Sequence, residues 1–96
     1  MTRLAFSPKA LQDIERLAGL LLATDPDVAS QTGGVLIHGL QILQDHPLIG
    51  RIVELGYREL LISRGRTGYV VLYKFEAATE VVIVLTLRHQ RETGYE

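Results

Sequence analysis

The sequence predicts an α+β domain of order β-α-α-β-β-β, an antiparallel sheet carrying a two-helix layer on one face. Three observations lead there. The first half holds two segments whose apolar residues recur at helical spacing, the second half switches to strand-like runs separated by short polar turns, and a short apolar run precedes both helices. The last two runs, Tyr69 to Phe75 and Glu80 to Leu87, are apolar at successive positions. A strand with one wet face alternates, whereas Val81-Val82-Ile83-Val84-Leu85 does not, so both faces of this sheet call for cover. Two helices make one layer on one face, and the other face is left for a partner.

The elements follow in order. Arg3 to Phe6 reads as a first strand that stops at Ser7-Pro8. Ser7 is suited to cap the first turn of a helix, and Pro8 fits the first helical position, where a missing N–H costs nothing. Leu11, Ile14, Leu17, Ala18, Leu21 and Leu22 then recur at helical spacing, with Asp13, Glu15 and Arg16 assigned to the opposite, solvated side. Thr24-Asp25-Pro26 repeats the start signal, and Val28, Leu36, Leu40 and Leu43 carry a second helix toward Asp45, ahead of Pro47. Gly33, Gly34 and Gly39 fall inside it, each costing about 1 kcal/mol relative to Ala, which close packing against the first helix or the sheet explains. His46 to Gly56 reads as a connecting loop. Three strands then form a meander: Tyr57 to Ser63, a turn around 64–68, Tyr69 to Phe75, a turn around 77–79, and Glu80 to Leu87.

Composition narrows the function classes. Ninety-six residues, 47% hydrophobic, make a single domain over 1–96 with a modest core. No apolar stretch approaches the roughly 18 residues of a membrane span, and no secretory leader precedes the first strand, so a cytoplasmic protein without membrane contact is expected. The absence of cysteine agrees and removes disulfides, thiolate catalysis and thiolate zinc sites. A formal charge of −1 and a pI near 6.3 do not suit a domain that grips a phosphate backbone by bulk charge, so direct sequence-specific nucleic-acid binding is not expected. Charge is mildly uneven: residues 1–48 hold three Lys or Arg against five acids, the remainder seven against six.

Motifs that carry chemistry are sparse. There is no phosphate-cradling glycine loop, nucleophile elbow or zinc pattern, and His38, His46 and His89 are not spaced as a metal site, so neither a metal nor a cofactor is expected. The polar stretch Arg88-His89-Gln90-Arg91-Glu92, with Tyr95 behind it, collects guanidiniums, an imidazole and a phenol at the end of a core strand. Such groups hold phosphate or shuttle protons, and equally they make an ordinary solvated strand end. Arg58 shares a face with Leu60 and Ile62, which points to a half-buried structural ion pair.

A resemblance emerges from residues spread along the whole chain. Phe6-Ser7-Pro8-Lys9-Ala10, Asp25-Pro26-Asp27-Val28-Ala29, Leu40 to Leu43 with Pro47 and Gly50-Arg51, Arg58-Glu59-Leu60, Tyr69-Val70-Val71-Leu72-Tyr73 and Val82 to Arg91 together resemble the RelE/ParE superfamily of type II toxin–antitoxin toxins. Each piece is weak, and their order and spacing are specific. The resemblance implies a compact toxin, connected with plasmid stabilisation and growth inhibition and held inactive by a cognate antitoxin that lies across the sheet. A homodimer or a heterotetramer with antitoxin is the implied assembly.

Two branches of the superfamily differ in target. RelE-type members imply cleavage of ribosome-bound messenger RNA by basic residues on the open face of the sheet. At the comparable positions this chain has Glu59, Leu61 and Val70, which cannot stabilise a phosphorane as cations would. Only Arg88, His89, Arg91 and Tyr95 remain as catalytic candidates, an incomplete set that argues against an enzyme. The ParE-type pattern around Arg58-Glu59-Leu60 and Tyr69 to Tyr73 is closer, and it implies inhibition of DNA gyrase by protein contact, with Arg88, His89 and Arg91 as target-binding residues. A member that has lost toxicity and persists as a binding module is the third reading. Under each of them, Leu61, Val70, Leu72, Val82 and Val84 are expected to form one apolar face that docks the antitoxin, with Arg64 and Arg66 among the rim cations that pair its acids.

Overall fold

A computed structural model describes residues 2–24, 26–64 and 67–90, with side chains described outside 18–33, 35, 63, 64 and 67. Strand β1 (Arg3–Phe6) leads into α1 (Pro8–Thr24) and α2 (Pro26–Asp45); β2 (Arg51–Ile52), β3 (Arg58–Arg64), β4 (Thr67–Glu76) and β5 (Val81–His89) follow. They form one five-stranded sheet of order β1-β5-β4-β3-β2. The meander β3-β4-β5 is antiparallel as the sequence implies, and β2 extends it at one edge. β1 joins the other edge parallel to β5, with Arg3 opposite Val81 and Phe6 opposite Val84, so the sheet is mixed.

The helices start where the sequence places them, and Ser7 does more than cap. Its hydroxyl accepts the Ala10 amide at 3.0 Å and donates to the Leu85 carbonyl at 2.6 Å, tying the first turn of α1 to β5. Ala10 and Leu17 of α1 and Leu36, Leu40 and Leu43 of α2 pack on Ile62, Tyr69, Val71, Tyr73, Val82, Val84 and Leu87 of the sheet. The face of α1 differs from the expected one: Leu11 is exposed, while Asp13, assigned to the solvated side, is 1% exposed. Close packing accounts for one of the α2 glycines. A Cβ on Gly39 would lie 2.5 Å from Ile62 Cδ1, so α2 sits on β3 at a separation only glycine allows, whereas a Cβ on Gly34 would meet nothing.

The 46–56 connection is tied down from below. Tyr73, fully buried in β4, donates its hydroxyl to the Pro47 carbonyl at 2.9 Å and accepts the Gly50 amide at 2.8 Å. Arg58 donates to the carbonyls of Leu48 and Gly50 at 3.1 and 2.9 Å. Its structural role is therefore met by carbonyls in place of the expected carboxylate. Burial, the larger effect, pushes the Tyr73 phenol up, against the opposing Gly50 amide and Arg58 charge.

Strand β5 breaks its own alternation. The register runs Tyr69↔His89 to Leu72↔Thr86 and then resumes at Tyr73↔Val84, so β5 carries one extra residue at a bulge. Thr86 and Leu87 are consequently both buried, one after the other. This splits the expected apolar face. Val82 and Val84 are 0% exposed in the core beneath the helices, because the bulge reverses the phase that would have put them beside Leu72 and Val70.

Candidate functional site

The sheet face away from the helices is the surface on which four of the expected site residues, Leu61, Val70, Leu72 and Arg88, meet. Cross-strand pairing builds it in rows. Leu61 of β3, Val70 of β4 and Arg88 of β5 are successive partners, and the next row places Glu59 beside Leu72, with Arg51 of β2 beside Glu59. Their strand neighbours Leu60, Ile62, Tyr69, Val71 and Leu87 belong to or pack on the core, so alternation turns this set outward. Leu61 is 53% exposed, Leu72 half-buried, and Val70 buried by its neighbours.

The electrostatics of this face are balanced. Arg51 and Glu59 form an ion pair at 2.7 Å and Lys74 pairs with Glu76 at 2.9 Å. The Glu76 hydrogen bond and charge push the Lys74 ammonium up. Arg88 is half-buried and donates to the carbonyls of His89 and Gln90, each at 3.3 Å. Beside the Leu61 row lies a depression lined by Arg51, Leu55, Tyr57, Glu59 and Leu72. Leu55, 87% exposed, is held in the left-handed region at φ 60°, which for a branched side chain costs about 1 kcal/mol or more.

Of the candidate tail, the described residues Arg88 and His89 do not converge. Arg88 and His89 are consecutive residues of β5 and point to opposite sides; His89 stacks edge-on against Tyr69 with ring centroids 5.4 Å apart. Arg91, Tyr95 and Arg66 lie outside the described residues, as does the side chain of Arg64. Among the described residues no three His, Cys, Asp or Glu side chains converge as a metal site, and no helix is long and apolar enough to cross a membrane.

Asp13 is the polar residue that the sequence reading misplaced. Its carboxylate accepts the Thr86 hydroxyl at 2.7 Å, the Leu87 amide at 3.0 Å and the Lys9 ammonium at 2.5 Å, with Arg16 at 3.6 Å. Desolvation is the largest influence and by itself raises the carboxyl. The Lys9, Leu87 and Thr86 hydrogen bonds together outweigh it and hold the group below its ordinary value of 3.8. A signal was present: Ala10, Asp13, Ile14 and Leu17 fall on one helical stripe.

A mixed five-stranded sheet with a two-helix layer is the fold of solved toxin–antitoxin structures. The fold matches the chromosomal ParDE toxin–antitoxin system from P. aeruginosa with a TM-score of 0.72 at 19% identity, over 91% of this chain and 94% of that one. It also matches the RelBE2 toxin–antitoxin complex from Mycobacterium tuberculosis with a TM-score of 0.64 at 22% identity, over 93% and 98%. In sequence, the toxin RelE3 of Caulobacter vibrioides is 28% identical over 92 residues, 96% of this chain and 98% of that protein. Toxin RelE1 of the same organism is 35% identical over 68 residues, 71% and 73%. The model of the ParE toxin of the type II toxin–antitoxin system parDE matches residues 4–94. The chain belongs to the ParE toxin family.

Proposed function

We propose that this ParE-family toxin acts in the cytoplasm by protein contact on DNA gyrase, without hydrolytic chemistry of its own, and that a cognate antitoxin silences it by covering the open face of the sheet. The observation that carries the proposal is the makeup of that face. Glu59, Leu61 and Val70 stand where the resemblance to the superfamily's RNases would call for cations, and with Leu72 they make the open face around Arg88 apolar and acidic. Charge developing on a phosphorane is stabilised by converging cations, and Arg51 and Lys74 on this face are each engaged by a carboxylate. An apolar centre with charged groups at its margin suits protein docking. An antitoxin segment that lays apolar side chains over Leu61, Val70 and Leu72 and acids near the basic rim fits this surface, in a toxin–antitoxin heterotetramer or in place of a toxin homodimer.

The second reading, a ribosome-dependent messenger RNA endonuclease, draws on the relatives that carry the RelE name and on Arg88 lying in the open-face row. Expression of the chain alone, assayed in parallel for gyrase-dependent DNA breaks and for cleavage of translated message, separates the two. Accumulated breaks with intact message are expected; cleaved message with unaffected gyrase overturns the proposal. Neither effect, with antitoxin binding retained, identifies a non-toxic binding module. Arg88→Ala, His89→Ala and Arg91→Ala, made singly, then report whether the strand end touches the target: growth inhibition that survives all three makes it structural.

A further inference from the structure

The position of Arg88 is decided by the bulge in β5, and the apolar run around it does not favour one register. The N-terminal half of β5 is fixed by pairing to β1 and by Val82 and Val84 in the core. If the ladder continued from Tyr73↔Val84 without the extra residue, Leu72 would meet Leu85, Val71 would meet Thr86 and Val70 would meet Leu87. Leu87 would then turn to the open face and Arg88 to the helix side, opposite Tyr69. β1 pairs with β5 only as far as Val84, and beyond it the backbone groups on that edge are taken by α1 and its cap. Ser7 donates to the Leu85 carbonyl, Asp13 accepts the Leu87 amide and the Thr86 hydroxyl, and Arg16 donates to the Leu87 carbonyl at 3.4 Å. Asp13 itself is 1% exposed and braced by Lys9, so the acceptor is fixed in place.

We propose that Asp13 is a positioning residue for Arg88: by holding the Leu87 amide and Thr86 hydroxyl it selects the bulged register, and that register turns Arg88 outward beside Val70 and Leu61. The inference goes beyond the choice of target, since it sets what the open face presents to any partner.

The chain contains no cysteine, so an introduced pair reports register directly. In the full chain, Val70→Cys with Arg88→Cys closes a disulfide in the bulged register, and Val70→Cys with Leu87→Cys closes one in the slipped register. With Asp13 present, closure of the 70–88 pair is expected to dominate in a glutathione buffer. Asp13→Ala is expected to move the ratio of the two closures toward 70–87 by about tenfold or more, the scale of a lost charge-assisted hydrogen bond. An unchanged ratio overturns the proposal. Asp13→Asn retains an acceptor oxygen and should keep the native ratio, while the Leu87 amide exchanges with solvent about tenfold faster. If the Asp13→Ala chain does not fold, Thr86→Val, which removes one of the two donors held by Asp13, takes its place: a shift of about threefold toward 70–87 is expected, and an unchanged ratio overturns the role assigned to Asp13.

Discussion

The two faces of the sheet are built from the same residue types and solve opposite problems. On the helix side, Val71, Tyr73, Val82 and Val84 are each 0% exposed, and polar groups there, Asp13 and the Tyr73 hydroxyl, have fixed partners. On the open side, Val70, Leu72 and Leu61 form an apolar strip that the chain itself leaves uncovered at Leu61. Apolar strands thus fill the core on one face and leave a partly open apolar strip on the other, and within β5 a single inserted residue decides which side chains go to which face.

The largest effect expected from this contrast comes from placing a charge on each face. Val84→Asp buries a carboxylate with no counterpart and should cost about 4 kcal/mol or more, abolishing a cooperative urea transition, while Leu61→Asp should stay within about 0.5 kcal/mol of the parent. Equal loss in both would mean that the faces are not distinct. Gly50→Ala comes next. Its Cβ would lie 2.6 Å from the Tyr73 ring and 2.8 Å from the Glu59 carbonyl oxygen, so a loss of about 1–3 kcal/mol is expected in chemical denaturation. Tyr73→Phe leaves the Gly50 amide and Pro47 carbonyl without their shared partner and should cost about 1–2 kcal/mol, with faster exchange at the Gly50 amide.

A smaller effect concerns acid. The Asp13 carboxyl is held below its ordinary 3.8 in the folded chain by Lys9, Leu87 and Thr86, so its contribution to stability is complete above that value. It is lost as pH falls through the folded value, where the unfolded state binds more protons. Lys9 and Arg16 face the carboxylate. Denaturation midpoints followed from pH 5 downward should fall less steeply in Asp13→Asn than in the parent; parallel profiles would show that the carboxylate charge contributes nothing to folding.

Much of the fold was legible because local chemistry agreed with it. Ser7-Pro8 marks the start of α1, the helical spacing of Leu36, Leu40 and Leu43 marks the buried stripe of α2, and the change to period two marks the meander. The outward placement of Glu59, Leu61 and Val70 also followed from alternation in β3 and β4. What could not be read was phase in β5. A run such as Val81 to Leu85 has no polar residue to say which side is out, so a bulge leaves no trace in it, and Val82 and Val84 lie in the core although unbroken alternation puts them with Leu72. Asp13 was misassigned for a related reason: an isolated carboxylate reads as solvated unless its partners, 73 and 74 residues away, are known. β2 is two residues long and is held by pairing to β3, with the adjoining loop tied down by Tyr73 and Arg58, so no run of its own announces it.

Docking of the antitoxin on the open face is tested most directly by binding of the cognate antitoxin to Leu72→Glu, measured by calorimetry alongside its circular dichroism and thermal midpoint. A folded monomer whose affinity falls by about 100-fold or more is the expected result, the scale of a charge placed in a desolvated interface. Parent affinity in a folded Leu72→Glu chain would contradict the claim and move the antitoxin to another surface.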